Sequence, residues 1–382
     1  MKFSTGSIYF SLVLFALAGC APRMVNEIQL DSWPTFRGNS ANLGVAHSNL
    51  QPPLRLANII KVPDKIRATI AANGDEVYLA DWTGTVQAIH AITGDVRWKA
   101  NQEGFITGSP GIFYDRLVVG SVDKAINAYS LKTGELLWQK PTNAMVITSP
   151  QLYKNNVIIG SSDGLLRALD VRSGKTKWKY AVNGLLTSTA AIYKDHIFVG
   201  TGEPSLYCLE AKNGDPVWKL PTAKVVVSSP VVADDRVFFG DWDGVFRVAD
   251  TRTGTVLWEV KGPAKIDASA TLASGRIFWN DMAGNVFAAD AQSGAPLWQV
   301  PLQGRSISSP VADAQYIYVA RYSPPRIFML EQETGRIKWS YKLKGDIYAS
   351  PVIYKNRLYI GTEGGNFYVF EMDNGRLQNE NE

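Results

Sequence analysis

The sequence predicts an all-β protein, a single eight-bladed β-propeller of four-stranded blades whose ring is closed by a strand from the amino-terminal part of the chain. Three observations lead to this prediction. A period of about forty residues repeats along the chain. Each period contains short apolar runs separated by turn residues, and each carries a small hydroxyl residue at the same position. Repeats of this length built from short strands are typical of propeller blades.

The period is marked by a tryptophan that follows a glycine by four residues. Six tryptophans are forty residues apart and a seventh follows after forty-one: Trp98, Trp138, Trp178, Trp218, Trp258, Trp298 and Trp339. The matching glycines are Gly94, Gly134, Gly174, Gly214, Gly254, Gly294 and Gly335, and Gly375 adds an eighth. The repeat therefore extends over most of the chain and gives eight units.

The fifth unit shows the strand pattern. Its apolar runs are residues 225–232, 236–241, 245–250 and 255–260, and turn residues separate them. Short runs rich in Val, Phe and Ile are typical of strands. A forty-residue period can also arise from a helical array, but helices do not tolerate so many glycines and turn residues.

One position of every unit is occupied by serine or threonine. The eight residues are Thr69, Ser109, Ser149, Thr189, Ser229, Ser269, Ser309 and Ser350, and each follows a Gly, Ala, Ser or Thr. Eight inner strands that converge on one axis leave room only for small side chains. These hydroxyl residues are therefore predicted to be packing residues, not nucleophiles, and no Ser-His-Asp grouping accompanies them.

The two ends of the repeat predict how the ring closes. The eighth unit has Asn379 where a tryptophan is expected, whereas residues 52–62 lie one period before the first full unit and carry Asn58 in the tryptophan position. We expect residues 52–62 to supply the outer strand of the last blade, because this pairing protects an exposed edge. The stretch "WPTFRGNSANLG" before it is expected to pack across the blade edges.

The amino terminus is typical of an exported lipoprotein. Lys2 precedes an apolar run from Ile8 to Ala18, too short to span a membrane, and "LAGC" ends at Cys20. We predict a signal peptide over 1–19, a lipidated tether over 20–32 and the propeller over 33–382. Ordinary secretory cleavage near Ala18 is the alternative. Lipidation of Cys20 would tether the protein stably to a membrane. Ala21 is not the aspartate that signals inner-membrane retention in enteric bacteria, which favours the outer membrane.

Composition excludes several classes of function. There are 39 basic and 35 acidic residues, so the net charge of +4 is too small to indicate nucleic-acid binding. The two cysteines and three scattered histidines give neither a disulfide framework nor a metal site of these residues. The loop "DWDG" at 241–244 lacks the spacing of a calcium loop, because its glycine follows the second acid directly. No metal and no cofactor are predicted.

The unit "A-L-D-x-x-T/S-G-x-x-x-W" resembles the repeat of the PQQ-type, or quinoprotein-like, eight-bladed propellers. The resemblance implies that each tryptophan listed above stacks between neighbouring blades and is structural. It also implies two competing functions. Quinoprotein dehydrogenases of this family hold PQQ and calcium on the axis, but they are usually longer, and many have an adjacent cysteine pair that this chain lacks.

The compact lipoproteins of this family imply a different function, in assembly of outer-membrane β-barrel proteins. Length, lipoprotein signal and blade count are similar. We therefore expect a non-catalytic scaffold, a monomeric propeller that binds the barrel-assembly machinery in the periplasm. In those lipoproteins the partner contacts are leucines with an arginine before the fourth blade and paired aspartates before the fifth. Here Leu185 and Leu186 are present but the arginine and the acids are not, which leaves a paralogue with another partner possible, as well as a PQQ enzyme or sensor and a glycan-binding propeller.

Candidate partner-binding residues lie in the loops of one propeller face. Turn tips that carry large side chains, such as "DWTG", "DWDG", "DMAG" and "RYSPPR", are not required by the core and are typical of binding surfaces. The alternative is that each side chain folds onto its own blade. Arg67 and Asp267 are charged residues at the expected mouth of the axial channel, where they could bind a polar ligand or stay hydrated. The full set is Trp82, Trp242, Met282, Arg321, Tyr322, Leu185, Leu186, Arg67 and Asp267.

Overall fold

The computed structural model describes residues 32–373, which form eight antiparallel sheets arranged as the blades of one ring. The predicted fold class is confirmed. The predicted signal peptide, Cys20 and the tether up to residue 31 lie outside the described residues. Within residues 32–373 there is no α-helix, and hence no helical segment that could cross a bilayer.

Each blade contains four strands, numbered here along the chain. Two strands precede the first blade, β1 (Ser32–Trp33) and β2 (Leu54–Lys61). Blades one to four are β3 (Ala71–Asn73), β4 (Glu76–Ala80), β5 (Thr85–His90) and β6 (Val96–Asn101); β7 (Gly111–Phe113), β8 (Arg116–Ser121), β9 (Ala125–Ser130) and β10 (Leu136–Pro141); β11 (Gln151–Tyr153), β12 (Asn156–Gly160), β13 (Leu165–Asp170) and β14 (Thr176–Ala181); β15 (Ala191–Tyr193), β16 (His196–Thr201), β17 (Ser205–Glu210) and β18 (Pro216–Pro221).

Blades five to eight repeat this arrangement, and β2 completes the last of them. They are β19 (Val231–Ala233), β20 (Arg236–Gly240), β21 (Val245–Asp250) and β22 (Val256–Lys261); β23 (Thr271–Ala273), β24 (Arg276–Asn280), β25 (Asn285–Asp290) and β26 (Pro296–Pro301); β27 (Val311–Ala312), β28 (Tyr316–Arg321), β29 (Arg326–Glu331) and β30 (Ile337–Lys342); β31 (Val352–Tyr354), β32 (Arg357–Gly361), β33 (Asn366–Met372) and β2.

The fifth blade shows where the sequence pattern was wrong. Its second, third and fourth strands begin and end within one residue of the predicted runs, but β19 contains only two of the eight residues predicted for the first strand, together with Ala233. Residues 225–230 instead form a loop over the blade end, where the N–H of Trp242 donates to the carbonyl of Val225 (3.1 Å). Apolar residues in this stretch contribute to the core from a loop, which hydrophobicity alone does not distinguish from a strand.

The ring closes as the sequence predicted. β2 pairs antiparallel with β33 as the outermost strand of the eighth blade, from Leu54 opposite Met372 to Lys61 opposite Asn366. Asn58 occupies the tryptophan position, and its side-chain amide donates to the carbonyl of Ile92 in the first blade (2.9 Å). The closing strand therefore connects its blade to the next one with the same type of hydrogen bond that a tryptophan makes elsewhere in the ring.

Contacts between neighbouring blades are centred on the repeated tryptophans. Trp98 donates from Nε1 to the carbonyl of Leu131 in the second blade (3.0 Å). Its ring lies against Gly134, where an added Cβ would come within 2.5 Å of the indole. Equivalent contacts with a glycine of the following blade occur for Trp138, Trp178, Trp218, Trp258 and Trp298, and Trp339 packs on Phe370 of the last blade (5.3 Å between ring centroids).

We predict that Gly134→Ala destabilises the fold more than Gly275→Ala. Both glycines have a left-handed backbone, with φ of 74° and 72°, so both substitutions cost about 1–2 kcal/mol of strain. A Cβ on Gly275 meets nothing within 4 Å, whereas on Gly134 it displaces the Trp98 ring. Urea unfolding measures the two free energies. Equal losses of stability would show that the tryptophan contact does not matter.

The serine and threonine residues predicted to face the axis form a hydrogen-bonded ring. The N–H of Ser109 donates to Oγ of Ser149 in the next blade (2.9 Å), and the same bond recurs at 2.9–3.1 Å from blade to blade as far as Ser350, whose N–H donates to Thr69. We call the eight residues the hydroxyl ring. It replaces the strand pairing that the inner edges of the blades cannot make with one another.

Residues 32–50, which we call the axial segment, close the axis on one side of the hydroxyl ring. The segment begins as β1, paired with β3, and then passes the inner strands of the other blades in turn. Its carbonyls at Pro34, Ser40, Ala41, Leu43 and Gly44 accept hydrogen bonds from N–H groups of Ile112, Ile192, Val232, Leu272 and Ala312. The sequence predicted packing across blade edges, and the edges contacted are the inner ones.

Two buried polar side chains fix the axial segment at the axis. The guanidinium of Arg37 donates to the carbonyls of Pro310 and Ala270 and to the hydroxyl of Thr271. Asn42 donates to the carbonyls of Ala190 (3.2 Å) and Pro230 (2.9 Å). Burial lowers the pKa of Arg37 to about 9, which still leaves the group charged at neutral pH. One segment thus binds four different blades through two side chains.

Candidate binding face and axial cavity

The candidate residues lie on one face of the ring, which we call the top face. It is formed by the loops that lead into the innermost strands and by the turns between the second and third strands. In all eight blades the N–H of a turn residue donates to the carbonyl of the residue four positions before the hydroxyl ring, as from Trp82 to Lys65 (3.0 Å). The equivalent turn residues, the tips, are Trp82, Val122, Ser162, Gly202, Trp242, Met282, Tyr322 and Glu363.

Trp82 is held on both sides by neighbouring side chains. The Cζ atom of Arg67 lies 3.4 Å from the centroid of the indole, and the ring of Phe105 in the second blade lies 4.8 Å away. Trp82 is half-buried as a result. The cation and the aromatic ring stabilise each other by cation–π attraction. The side chain of Trp82 therefore packs against the blades.

Arg67 extends this packing across the closing seam of the ring. It forms an ion pair with Glu363 of the eighth blade and lies 4.4 Å from the ring of Tyr348. Tyr348 in turn makes an edge contact with Tyr322 of the seventh blade at 5.4 Å, and Arg305 lies over Tyr322 at the same distance. The prediction that Arg67 is either hydrated or ligand-binding missed these partners, because they come from distant repeats.

Trp242 has fewer contacts and is the most open of the aromatic tips. Its side chain is 39% exposed, its Nε1 donates to the carboxylate of Asp267, and Lys265 lies 4.5 Å from its ring. Burial raises the pKa of Asp267, although the hydrogen bond from Trp242 opposes the shift. Met282, the next tip, is half-buried. Of the two candidate tryptophans, Trp82 and Trp242, only Trp242 presents substantial surface.

Arg321 stabilises its own turn. It donates to the carbonyls of Pro324 (2.7 Å), Leu302 (2.7 Å) and Gln303 (2.8 Å). Partial burial lowers its pKa. By bonding to these three carbonyls, Arg321 fixes the longer turn of the seventh blade. The presence of an arginine here is therefore explained by the fold, without contact to a partner protein.

Leu186 is a core residue, and its prediction as a partner contact was wrong. Its side chain is fully buried against Gly160 and the strands of the third and fourth blades. The corresponding residue is buried in every blade, because the leading loop inserts it between the sheets. Leu185, by contrast, is 53% exposed.

Around the ring, the position of Leu185 divides the top face into two halves. It is apolar in blades two to five and charged in the other four: Phe105, Met145, Leu185 and Val225, then Lys265, Arg305, Asp346 and Lys65. Met145 and Leu185 are the most exposed of the apolar four, because the tips of their blades are only Ser162 and Gly202. We call Met145, Leu185 and the neighbouring Trp242 the apolar patch. Aligning the repeats four residues before the hydroxyl ring would have found this division in the sequence.

The acids of "DWDG" stabilise the turn. One oxygen of Asp241 accepts from the N–H groups of Asp243 (2.8 Å) and Val245 (3.1 Å), and the other pairs with Arg247. Asp81 and Asp281 accept from their own turns in the same way. An aspartate that bonds to the backbone two residues on is a common turn device. Within residues 32–373 no group of three or more His, Cys, Asp or Glu residues is placed to hold a metal.

An axial cavity of about 260 Å³ opens on the top face. Its walls are the hydroxyl ring, and its mouth includes Arg67, Asp267, Tyr348 and the aliphatic residues Ile147, Val227 and Ile307. Phe36 of the axial segment lines it from the opposite side of the ring. The cavity is therefore polar in its walls, aromatic at its base and open to solvent at one end.

Comparison with known proteins places the chain in a family. The sequence profile of a family described as outer membrane protein assembly factor BamB matches residues 45–190, 183–305 and 282–382. The chain belongs to the BamB family. Its sequence matches no curated protein significantly.

Solved structures show that the BamB fold is shared with enzymes. BamB from Moraxella catarrhalis has a TM-score of 0.74 at 21% identity, with 84% of this chain and 98% of that one covered. Quinohemoprotein alcohol dehydrogenase from Comamonas testosteroni has a TM-score of 0.78 at 14% identity, covering 89% of this chain and 80% of that one. The computationally designed protein Ika8 has a TM-score of 0.76 at 16% identity, covering 84% and 100%. At these identities the likeness concerns the fold alone.

The axial cavity does not fit the PQQ and calcium of the quinoprotein dehydrogenases. Arg67 and Asp267 are the charged residues that line it, and each is already engaged, with Glu363 and with Trp242. Calcium needs several oxygen ligands including carboxylates, and one hydrogen-bonded carboxylate does not supply them. PQQ carries several carboxylates, and the single paired guanidinium does not balance them.

We predict that Asp267→Asn and Asp163→Asn change stability in opposite directions at pH 7. The raised pKa of Asp267 means that its neutral form is favoured in the fold, so its contribution is present at low pH and lost as pH rises. The Asp267→Asn protein should therefore be more stable than the native protein at pH 7 and equally stable at about pH 3. Urea midpoints at the two pH values measure this.

Asp163 provides the comparison. Burial opposes its ionisation, but hydrogen bonds from Arg167, Ser161 and the N–H of Leu165 outweigh burial and lower its pKa to about 2. Its stabilisation is present above the unfolded pKa and is lost as pH falls towards 2. The Asp163→Asn protein should thus be less stable than the native protein at pH 7. A shift of both variants in the same direction at pH 7 contradicts this account.

Proposed function

We propose that this protein is a non-catalytic lipoprotein of the outer membrane whose propeller faces the periplasm and acts as a scaffold in β-barrel protein assembly. Its membership of the BamB family and the lipoprotein signal ending at Cys20 support this proposal. The propeller is taken to act as a monomer within a larger complex. Its partner is an envelope protein of the assembly machinery, and nucleic acid has no part in this function.

The apolar patch is the observation that carries the docking proposal. Met145 and Leu185 are 45% and 53% exposed on adjacent blades, and Trp242 of the next blade is 39% exposed. Exposed apolar and aromatic side chains that are not needed by the fold are typical of protein interfaces. The other half of the top face differs, because its aromatic side chains are occupied by Arg67, Arg305 and one another. A partner with an apolar surface would therefore dock on blades three to five.

We expect Leu185→Asp to abolish capture of the barrel-assembly partner. A buried carboxylate at the centre of an apolar interface should reduce crosslinked partner recovered from membranes by more than about tenfold. Leu136→Asp is the matched control, since Leu136 is also 53% exposed but lies on the outer strand β10. Thermal unfolding checks that both variants are folded. Full recovery with Leu185→Asp, or no assembly subunit recovered with the native protein, would refute the docking proposal.

The anchor has a separate test. Cys20→Ser removes the proposed lipidation site, so we expect the variant to move from the membrane fraction to the soluble periplasmic fraction, because the apolar chains supply the membrane affinity. Cys208→Ser is the control, since Cys208 is buried between strands and should not affect localisation. Retention of Cys20→Ser in the outer membrane would mean that lipid at this cysteine does not attach the protein.

A further inference from the structure

At seven of the eight blades, the wall of the axial cavity carries a hydroxyl that can both donate and accept a hydrogen bond. Seven members of the hydroxyl ring, all except Ser109, accept an N–H from the neighbouring blade. A hydroxyl that accepts one bond keeps its own proton and a second lone pair, so it can both donate and accept once more. The wall is therefore suited to a ligand whose periphery also alternates between donating and accepting.

The charges around the cavity favour a neutral ligand. Its lining contains one cation, Arg67, and one anion, Asp267. Arg67 is held by its ion pair with Glu363, and Asp267 by its hydrogen bond from Trp242. An inorganic anion would meet the carboxylate, and a cation would meet the guanidinium. A neutral polar molecule can use both groups as hydrogen-bond partners.

Aromatic rings lie at both ends of the cavity. Phe36 lines the base, where its neighbours fix it: the hydroxyl of Thr35 donates to the carbonyl of Pro150 (2.8 Å), and Arg37 is bound to two inner strands. Tyr348 is 37% exposed at the mouth, beside Arg67. Ring faces pack against the C–H groups of a hydroxylated ring while its hydroxyls bond to the walls. Binding pockets commonly combine apolar or aromatic surface with a few polar groups in this way.

We propose that the axial cavity binds a neutral monosaccharide or a cyclic polyol of similar size. The hydroxyl ring bonds to the ligand hydroxyls, Asp267 accepts from one of them, and Phe36 and Tyr348 contact its C–H faces. The site borders the apolar patch, since Trp242 donates to Asp267, but the ligand enters on the axis whereas Met145 and Leu185 lie on the loops outside it.

The test is a titration of the purified mature protein with single compounds, followed by ligand-observed NMR and calorimetry. The probes are glucose, N-acetylglucosamine, inositol, inorganic phosphate, glycine and PQQ with calcium. At least one of the three hydroxylated rings should bind with a Kd below about 10 mM. Asp267→Asn should raise that Kd by about tenfold, since a bond to a charged acceptor is replaced by a neutral one.

Val227→Tyr tests the location. Val227 lies at the mouth, and the equivalent position of the eighth blade already carries Tyr348, so the substitution should block the cavity without disturbing the fold. Val217→Tyr is the control, since Val217 is 40% exposed on the outer strand β18. Binding should be lost in the first variant and unchanged in the second. The proposal is overturned if no hydroxylated ring binds, if phosphate, glycine or PQQ binds in preference, or if Val227→Tyr still binds.

Discussion

The architecture depends on how the inner edges of eight blades are hydrogen bonded around one axis. Strands that point at a common axis cannot pair with one another, yet their buried N–H and carbonyl groups need partners. On one side the hydroxyl ring accepts N–H groups from blade to blade. On the other side the axial segment supplies carbonyls and the side chains of Arg37 and Asn42. Both solutions leave polar groups at the axis, which gives this propeller a polar cavity instead of an apolar centre.

The same constraint makes the two faces of the ring unequal. The axial segment fills the axis below the hydroxyl ring, so the cavity opens only on the top face. The tips also lie on this face, and they are the part of each blade that the repeat does not fix. A tip needs only a backbone N–H to hold its leading loop, so its side chain can vary from Gly202 to Trp242 without loss of the fold. A binding surface can therefore be formed by the tips, because the fold permits their side chains to vary.

How the tips are used differs between the two halves of the ring. Near the closing seam, Trp82, Arg67 and Tyr348 form one packed group that joins the first and eighth blades. The eighth blade is completed by the pairing of β2 with β33, and these side-chain contacts add to that pairing. On the far side the small tips Ser162 and Gly202 leave Met145 and Leu185 uncovered. The aromatic tips Trp82 and Tyr322 therefore stabilise the ring at the seam, whereas on the far side the small tips leave Met145 and Leu185 exposed near Trp242.

The features that recur in every unit could be predicted from the sequence. The blade count, the small residues at the axis and the closure by residues 52–62 follow from spacing alone, and the structure has all three. Leu186 was wrongly predicted to contact a partner, since the sequence does not show which of two adjacent loop leucines the fold inserts into the core. The predicted first strand of the fifth blade extended through a loop, because buried loop residues are as apolar as strand residues.

The sequence by itself determined the scaffold, because each blade needs the same glycine, tryptophan and small hydroxyl at fixed spacing. Only the tertiary structure decided which exceptional residues remain available for binding. Arg67 pairs with Glu363, nearly three hundred positions along the chain, and Trp242 pairs with Asp267 of the following blade. Such contacts follow no period, since they depend on how the loops of neighbouring blades meet once the ring has closed. The ring brings the first and last repeats together, and with them the side chains of Arg67 and Tyr348 at the mouth of the cavity.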